Sequence, residues 1–270
     1  MIDINEYFRF NDENEKPLEK LVTDGGLVGI FRTIGFIGDS LSSGELESMT
    51  PDGQRGYHDI YDISWGQYIA RMAGTKVYNF SRGGMTAREY LQSFGEANGY
   101  WNPELACQAY IMALGCNDLW GLGLPVGSLA DIDPEDPAKN APTFAGEFAA
   151  LISRYKQIQP KAKFFLITMP KTPHHGMDAE AKADAHRELM YDLAKHFDNT
   201  YVIDLREYGP VYDEKFYEHF WIGGHLNAQG YLLTAKMVVS YMDYIIRHNP
   251  QDFRQVGFIG TGHYFHGLQW

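Results

Sequence analysis

The chain has 270 residues, 44% of them hydrophobic and 21% charged, with 23 Lys and Arg against 35 Asp and Glu for a formal net charge of −12. That composition is globular and excludes disordered and low-complexity chains, and its two cysteines, Cys107 and Cys116, are too few for a disulfide scaffold. Without a run of five basic residues there is little to neutralise nucleic-acid phosphates or to seek an anionic membrane, and no apolar run reaches the roughly 18 to 20 residues of a bilayer span.

Residues 1–28 read as a polar leader with neither a basic n-region nor an apolar h-region, so the expected location is the cytoplasm. Thr33 to Ile37 then reads as a buried strand ending at a glycine turn. Ser64 to Met72 has its apolar residues at helical spacing and stops at Gly74. Lys76 to Phe80 is a second strand, and Thr86 to Phe94 a helix capped near Thr86. Ala109 to Leu114 is a third strand. Residues 119–142, rich in Gly, Pro and Asp, form a long loop of the kind that serves as a lid. Phe144 to Ile158 is an amphipathic helix stopped by Pro160, Lys163 to Met169 a fourth strand stopped by Pro170, and Ala179 to Phe197 a long helix. Thr200 to Leu205 is the fifth strand and Asn227 to His248 the last helix, with Pro250 just beyond. An aromatic tail, residues 251–270, ends in Trp270. It suits either a dimer contact or a segment folded back on its own sheet.

Near-continuous apolar strands alternating with helices predict βαβ units, a parallel sheet covered on both faces, and one domain over 29–250. In such sheets ligands bind beyond the carboxyl ends of the strands. Beyond these strand ends stand Gly38-Asp39-Ser40-Leu41, Asn79 to Thr86, Gly115-Cys116-Asn117-Asp118 and Gly224-His225-Leu226-Asn227. Each residue alone has an ordinary structural reading. Ser40 suits a helix cap, Gly84 a turn of positive φ, Asn117 an Asx turn, and His225 the cap of the last helix. Together, at one sheet edge, they supply a nucleophile, a base and hydrogen-bond donors for a developing oxyanion.

Those four blocks, in this order, resemble the SGNH hydrolases, the GDSL esterase and lipase family, over about residues 32–248. The resemblance implies a flavodoxin-like three-layer α/β/α sandwich with five parallel strands. It implies Ser40 as nucleophile and His225 as general base, and an oxyanion hole made by the backbone N–H groups of Ser40 and Gly84 with the side-chain amide of Asn117. It implies no cofactor and no metal. The chain departs from the family where an Asp three residues before the histidine orients the imidazole, because Ile222 stands there. In one serine protease a wrong histidine tautomer costs roughly 10⁴ in rate. Three replacements stay open: a backbone carbonyl near Trp221 or Ile222, a carboxylate from Glu218 or Asp213, or an inactive site.

The other constellations read as structural. His174-His175 and the tail pair His263 and His266 read as surface histidines. The acidic run Asp131 to Asp136 lacks the glycine and glutamate of a calcium loop. No zinc, Walker or dinucleotide motif and no Gly-x-Ser-x-Gly elbow occurs. The expected activity is a serine esterase acting on short-chain or acetyl esters, with O-acetylated carbohydrates the favoured substrate. The alternatives are a lysophospholipase or lipase, and an inactive carbohydrate-binding relative on the same fold.

Overall fold

The computed structural model describes residues 3–4, 9–10 and 12–267, apart from the side chain of His175. Trp270 and parts of the polar leader therefore lie outside the described residues.

The central sheet is built from five short strands, β1 (Thr33–Gly38), β4 (Lys76–Asn79), β5 (Ala109–Ala113), β6 (Lys163–Ile167) and β7 (Thr200–Ile203). They are hydrogen-bonded in the order β4-β1-β5-β6-β7, all parallel. Numbered by their appearance in the sheet, that is 2-1-3-4-5, the flavodoxin-like order. Ile34, Phe36, Ile111 and Phe165 are fully buried on one face, and Ile37, Tyr110, Met112 and Phe164 on the other. Burying each such side chain contributes about 1.5–3 kcal/mol, so a sheet covered on both faces needs no polar alternation.

The helices divide between those two faces. The helix Trp65–Ala73 and the last helix, Ala228–His248, cover the Phe36 face, where Trp65 packs on Phe36 with ring centroids 4.9 Å apart. The helices Phe144–Ile158 and Met177–His196 cover the Tyr110 face. The segment from Ala87 joins them, passing through a π-helical turn at Tyr90–Phe94. Local chemistry sets the helix starts. Ser64, Thr86, Thr143 and Asn227 each accept a hydrogen bond from a backbone N–H in the first turn.

One element is absent from the sequence reading. Between β1 and the first long helix the chain makes an antiparallel hairpin, β2 (Glu45–Met49) with β3 (Arg55–Asp59), in which Glu47 faces Tyr57 across the strands. Its turn, Thr50-Pro51-Asp52-Gly53, carries standard turn residues, with Gly53 at φ +85°. The strands are mostly polar and partly exposed, so no hydrophobic alternation announces them.

Residues 119–142 are tied down rather than open. Phe144 N–H donates to Pro125 O at 3.0 Å, Lys182 Nζ to Leu119 O at 2.8 Å, and Ala141 N–H to Asp131 O at 2.8 Å. The acidic run caps its own turns, since Asp133 Oδ1 accepts from the N–H groups of Glu135 and Asp136.

The described parts of both terminal segments pack on the domain. Glu15 holds Arg247 of the last helix with two hydrogen bonds of 2.6 and 2.8 Å, and Asp243 holds the same guanidinium at 2.8 Å. The tail folds back over the amino-terminal ends of the strands. Phe253, Val256 and Ile259 are buried there, and Gln108 and Arg32 donate to the carbonyls of Val256, Gly257 and Ile259. Arg247→Ala would remove the main cation from two buried carboxylates, leaving Glu15 with Arg9 at 3.6 Å and Asp243 with the Leu27 N–H at 2.8 Å. The expected loss is about 3–5 kcal/mol, read as a lowered midpoint of urea unfolding. A cost under about 1 kcal/mol, as for a surface pair, would show that the leader does not dock this way.

Candidate active site

Strand order reverses at β1, which has β4 on one side and β5 on the other. Parallel strands bring their carboxyl ends to one edge, so the segments after β1, β4 and β5 meet there. After β1 the chain turns at Asp39 into the short helix Ser40–Ser43. Asp39 Oδ1 accepts from Leu41 N–H at 3.0 Å, which caps the turn and fixes the position of Ser40. Burial pushes the Asp39 carboxyl up to about 7, and repulsion from Asp118 and Glu45 adds to it.

After β4, Gly84 adopts φ +71° with open space around its α-carbon, and it is exposed at the edge. After β5, Asn117 donates one amide N–H to Met85 O at 3.1 Å, leaving its second N–H for another partner. Asp118, fully buried, accepts from Ala87 N–H at 2.9 Å. These two bonds lock the Asn117 segment to the Gly84 turn. Burial pushes the Asp118 carboxyl up to about 6.

His225 lies on a two-residue strand, β9 (His225–Leu226), paired antiparallel with β8 (Trp221–Ile222) so that Ile222 stands opposite His225. The turn between them contains Gly223 at φ +59°, where an added Cβ would lie 2.6 Å from the Glu47 carboxyl carbon. That hairpin explains the missing aspartate locally, because the half-exposed residue at 222 is a cross-strand neighbour of the histidine. The last helix closes the arrangement. Its buried Tyr231 hydroxyl lies 2.7 Å from Glu45 O and 3.1 Å from Ser40 O and donates to these two carbonyls.

The partners of His225 are two carboxylates that the sequence reading missed. Glu45 Oε1 is 3.0 Å from Nε2, and Glu47 Oε2 is 3.8 Å from Nδ1. Both come from β2, two residues apart and hence on one face of the strand. Burial raises the Glu45 carboxyl above its ordinary range, and His225 opposes that shift. A Cβ on Gly83 would collide with Glu45 Oε2, so the glycine pair leaves room for this carboxylate. Neither carboxylate proposed from upstream is a partner of the imidazole. Asp213 caps the helix Glu214–Phe220 by accepting from Phe216 N–H at 2.9 Å, and Glu218 is exposed. A backbone carbonyl does not serve either, for Nδ1 is buried without a hydrogen-bond partner. Alternation of Glu45 and Glu47 before a Pro-Asp-Gly turn was the available signal.

Among the described residues no group of three or more His, Cys, Asp or Glu is disposed to hold a metal ion, and no helix is long and apolar enough to cross a membrane. His174 is exposed against Tyr217, with ring centroids 4.9 Å apart. A cavity of about 790 Å³ lies far from this edge, between Lys161, Lys163, Asn199 and the tail. A smaller one of about 70 Å³ sits beside the Ser40 turn, lined by Leu41, Cys116, Met169, Pro170 and Leu226 among others.

The model of the GDSL-like Lipase/Acylhydrolase family matches residues 36–233, a span that contains all four blocks. The chain belongs to that family. Solved structures of similar fold agree with the three-layer sandwich. A family two carbohydrate esterase from Clostridium thermocellum, in complex with cellohexaose, superposes with a TM-score of 0.57 at 18% identity, over 86% of this chain and 66% of that one. A family 3 carbohydrate esterase from Clostridium thermocellum gives 0.51 at 15% identity, over 80% and 96%. A putative lipolytic protein of the G-D-S-L family from Desulfitobacterium hafniense DCB-2 gives 0.51 at 15%, over 78% and 99%. None of the curated proteins compared matches the chain in sequence.

The buried GDSL aspartate gives a pH test. The unfolded chain releases the Asp39 proton near about 4, whereas the folded protein holds it up to about 7. The folded state therefore binds more protons across that window, and stability falls as pH rises through it. Asp39→Asn keeps the acceptor for Leu41 N–H and cannot ionise. Its unfolding free energy is expected to vary less than that of the wild type between about pH 4 and 7. Parallel urea titrations check this, and identical slopes would contradict it.

Proposed function

We propose that this GDSL-family chain is a serine esterase that removes short acyl groups, with O-acetyl groups on carbohydrates as its substrate class. The observation that carries the reading is the convergence of Ser40, Gly84, Asn117 and His225 at the reversal point of one parallel sheet, tied by the Asn117–Met85 and Tyr231–Ser40 hydrogen bonds. Structural likeness to carbohydrate esterases of families two and 3 favours a sugar ester.

In this mechanism Ser40 Oγ attacks the ester carbonyl carbon as its proton passes to His225. The carbonyl π electrons move to oxygen, and the resulting oxyanion is held by the N–H groups of Ser40 and Gly84 and the free amide N–H of Asn117. Collapse breaks the bond to the alcohol, which leaves with the proton from His225. Water, deprotonated by His225, then attacks the acyl-enzyme, frees the acid and restores Ser40. A second reading, an inactive carbohydrate binder, has one observation in its favour: Glu45 occupies the Nε2 side of His225.

Hydrolysis of p-nitrophenyl esters and of an acetylated-sugar panel by the wild type and Ser40→Ala decides between them. The expected result is turnover that falls steeply with acyl length and vanishes in the variant. Equal background rates in both, with sugar binding retained, would establish the second reading. Removing one oxyanion donor costs about 10²–10³ in kcat, so Asn117→Ala is expected to lose that much with little change in KM. Unchanged kcat would remove Asn117 from the oxyanion hole.

A further inference from the structure

We propose that Glu47 orients His225, replacing from the β2–β3 hairpin the carboxylate that is absent at Ile222. The inference rests on the Ser40–His225 reading above. Its grounds are geometric. The Glu47 side chain is 3% exposed, and its Oε2 faces Nδ1 of His225 at 3.8 Å. His225 Nδ1 and Glu47 Oε1 are both buried polar atoms without a hydrogen-bond partner. A buried Nδ1 left unpaired is costly, and closure onto Glu47 Oε2, the carboxylate oxygen that faces it, would satisfy it. Closure needs a shortening to about 2.7–2.9 Å, the length of a charge-assisted bond, and catalytic hydrogen bonds are often long until substrate binds.

Glu47 is itself held for this task. Gly224 N–H donates to its Oε2 at 2.6 Å, and the Arg55 guanidinium lies 3.1 Å from its Oε1. Gly223 and Gly224 leave the space the carboxylate fills, since a Cβ on either would come within 2.9 Å of its atoms or closer. The same backbone that carries the histidine therefore fixes the carboxylate beside it.

Tautomer chemistry gives the arrangement its meaning. A neutral imidazole carries one proton. With that proton on Nδ1 and donated to Glu47, the Nε2 lone pair is free to take the Ser40 proton. With the proton on Nε2 and donated to Glu45, the ring cannot act as the base at that nitrogen. Glu47 thus selects the productive tautomer, and Glu45 must swing from Nε2 when Ser40 engages. Glu47 touches neither substrate nor reacting atoms and is a positioning residue.

The test compares wild type, Ser40→Ala, Glu47→Gln and Glu47→Asp with p-nitrophenyl acetate, alongside ¹⁵N NMR of imidazole-labelled protein. Glu47→Gln is expected to lower kcat by about 10²-fold or more with KM little changed, and Glu47→Asp to recover part of it. In the wild type saturated with acetanilide, an unreactive amide analogue of the ester, the neutral His225 is expected to carry its proton on Nδ1. That spectrum decides the question even where Glu47→Gln fails to fold. Wild-type kcat in Glu47→Gln, or an acetanilide-bound wild-type ring protonated on Nε2, would overturn the assignment. Turnover that survives in Ser40→Ala would instead overturn the reading on which it rests.

Discussion

The backbone ladder from β1 to its two neighbours is the constraint on which the site depends. Phe36 pairs with Asn79 of β4 and with Ile111 of β5, so three chain segments more than thirty residues apart are held in register. Because all three strands run parallel, their following turns arrive at one edge. The Ser40 turn, the Gly84 turn and the Asn117 turn are adjacent for that reason, before any side chain contributes. The side chains then fix the details. Asp39 shapes the first turn, while Asn117 and Asp118 fasten the third to the second.

The histidine is held by a different device. His225 sits on a two-residue hairpin outside the main sheet, where helical spacing between an aspartate and the imidazole has no meaning. A second hairpin, inserted after the serine turn, brings Glu45 and Glu47 to the two ring nitrogens. Tyr231 of the last helix joins these parts by donating to the carbonyls of Ser40 and Glu45. Serine turn and carboxylate strand thus share one buried hydroxyl. Glu45 stands on the Nε2 side of the imidazole, at 3.0 Å. That is why the position of Glu45 matters for any turnover.

Much of this was legible in the sequence. The five sheet strands are continuous apolar runs, and their boundaries fell within two residues of those observed, as did those of the helix Phe144–Ile158. Strong periodicity and clear stop residues explain that success. The β2–β3 hairpin was invisible because its strands are polar and short, and the residues β2 buries are the carboxylates Glu45 and Glu47 rather than apolar side chains. Ser40, Gly84 and Asn117 could be placed because each follows a strand in the main sheet. The partners of His225 could not, since Glu47 lies 177 residues from Gly224, which it binds, and no local pattern links them. A search confined to the residues just before the histidine therefore reached Asp213 and Glu218, which face elsewhere.

Reaction with a serine-directed fluorophosphonate, followed by mass mapping of the labelled peptide, tests the central claim most directly. An activated serine displaces fluoride and keeps the phosphonyl group, whatever the natural substrate. The account predicts stoichiometric labelling at Ser40 in the wild type, none in Ser40→Ala, and slow labelling in His225→Ala. Absence of label at Ser40 in the folded wild type would contradict it.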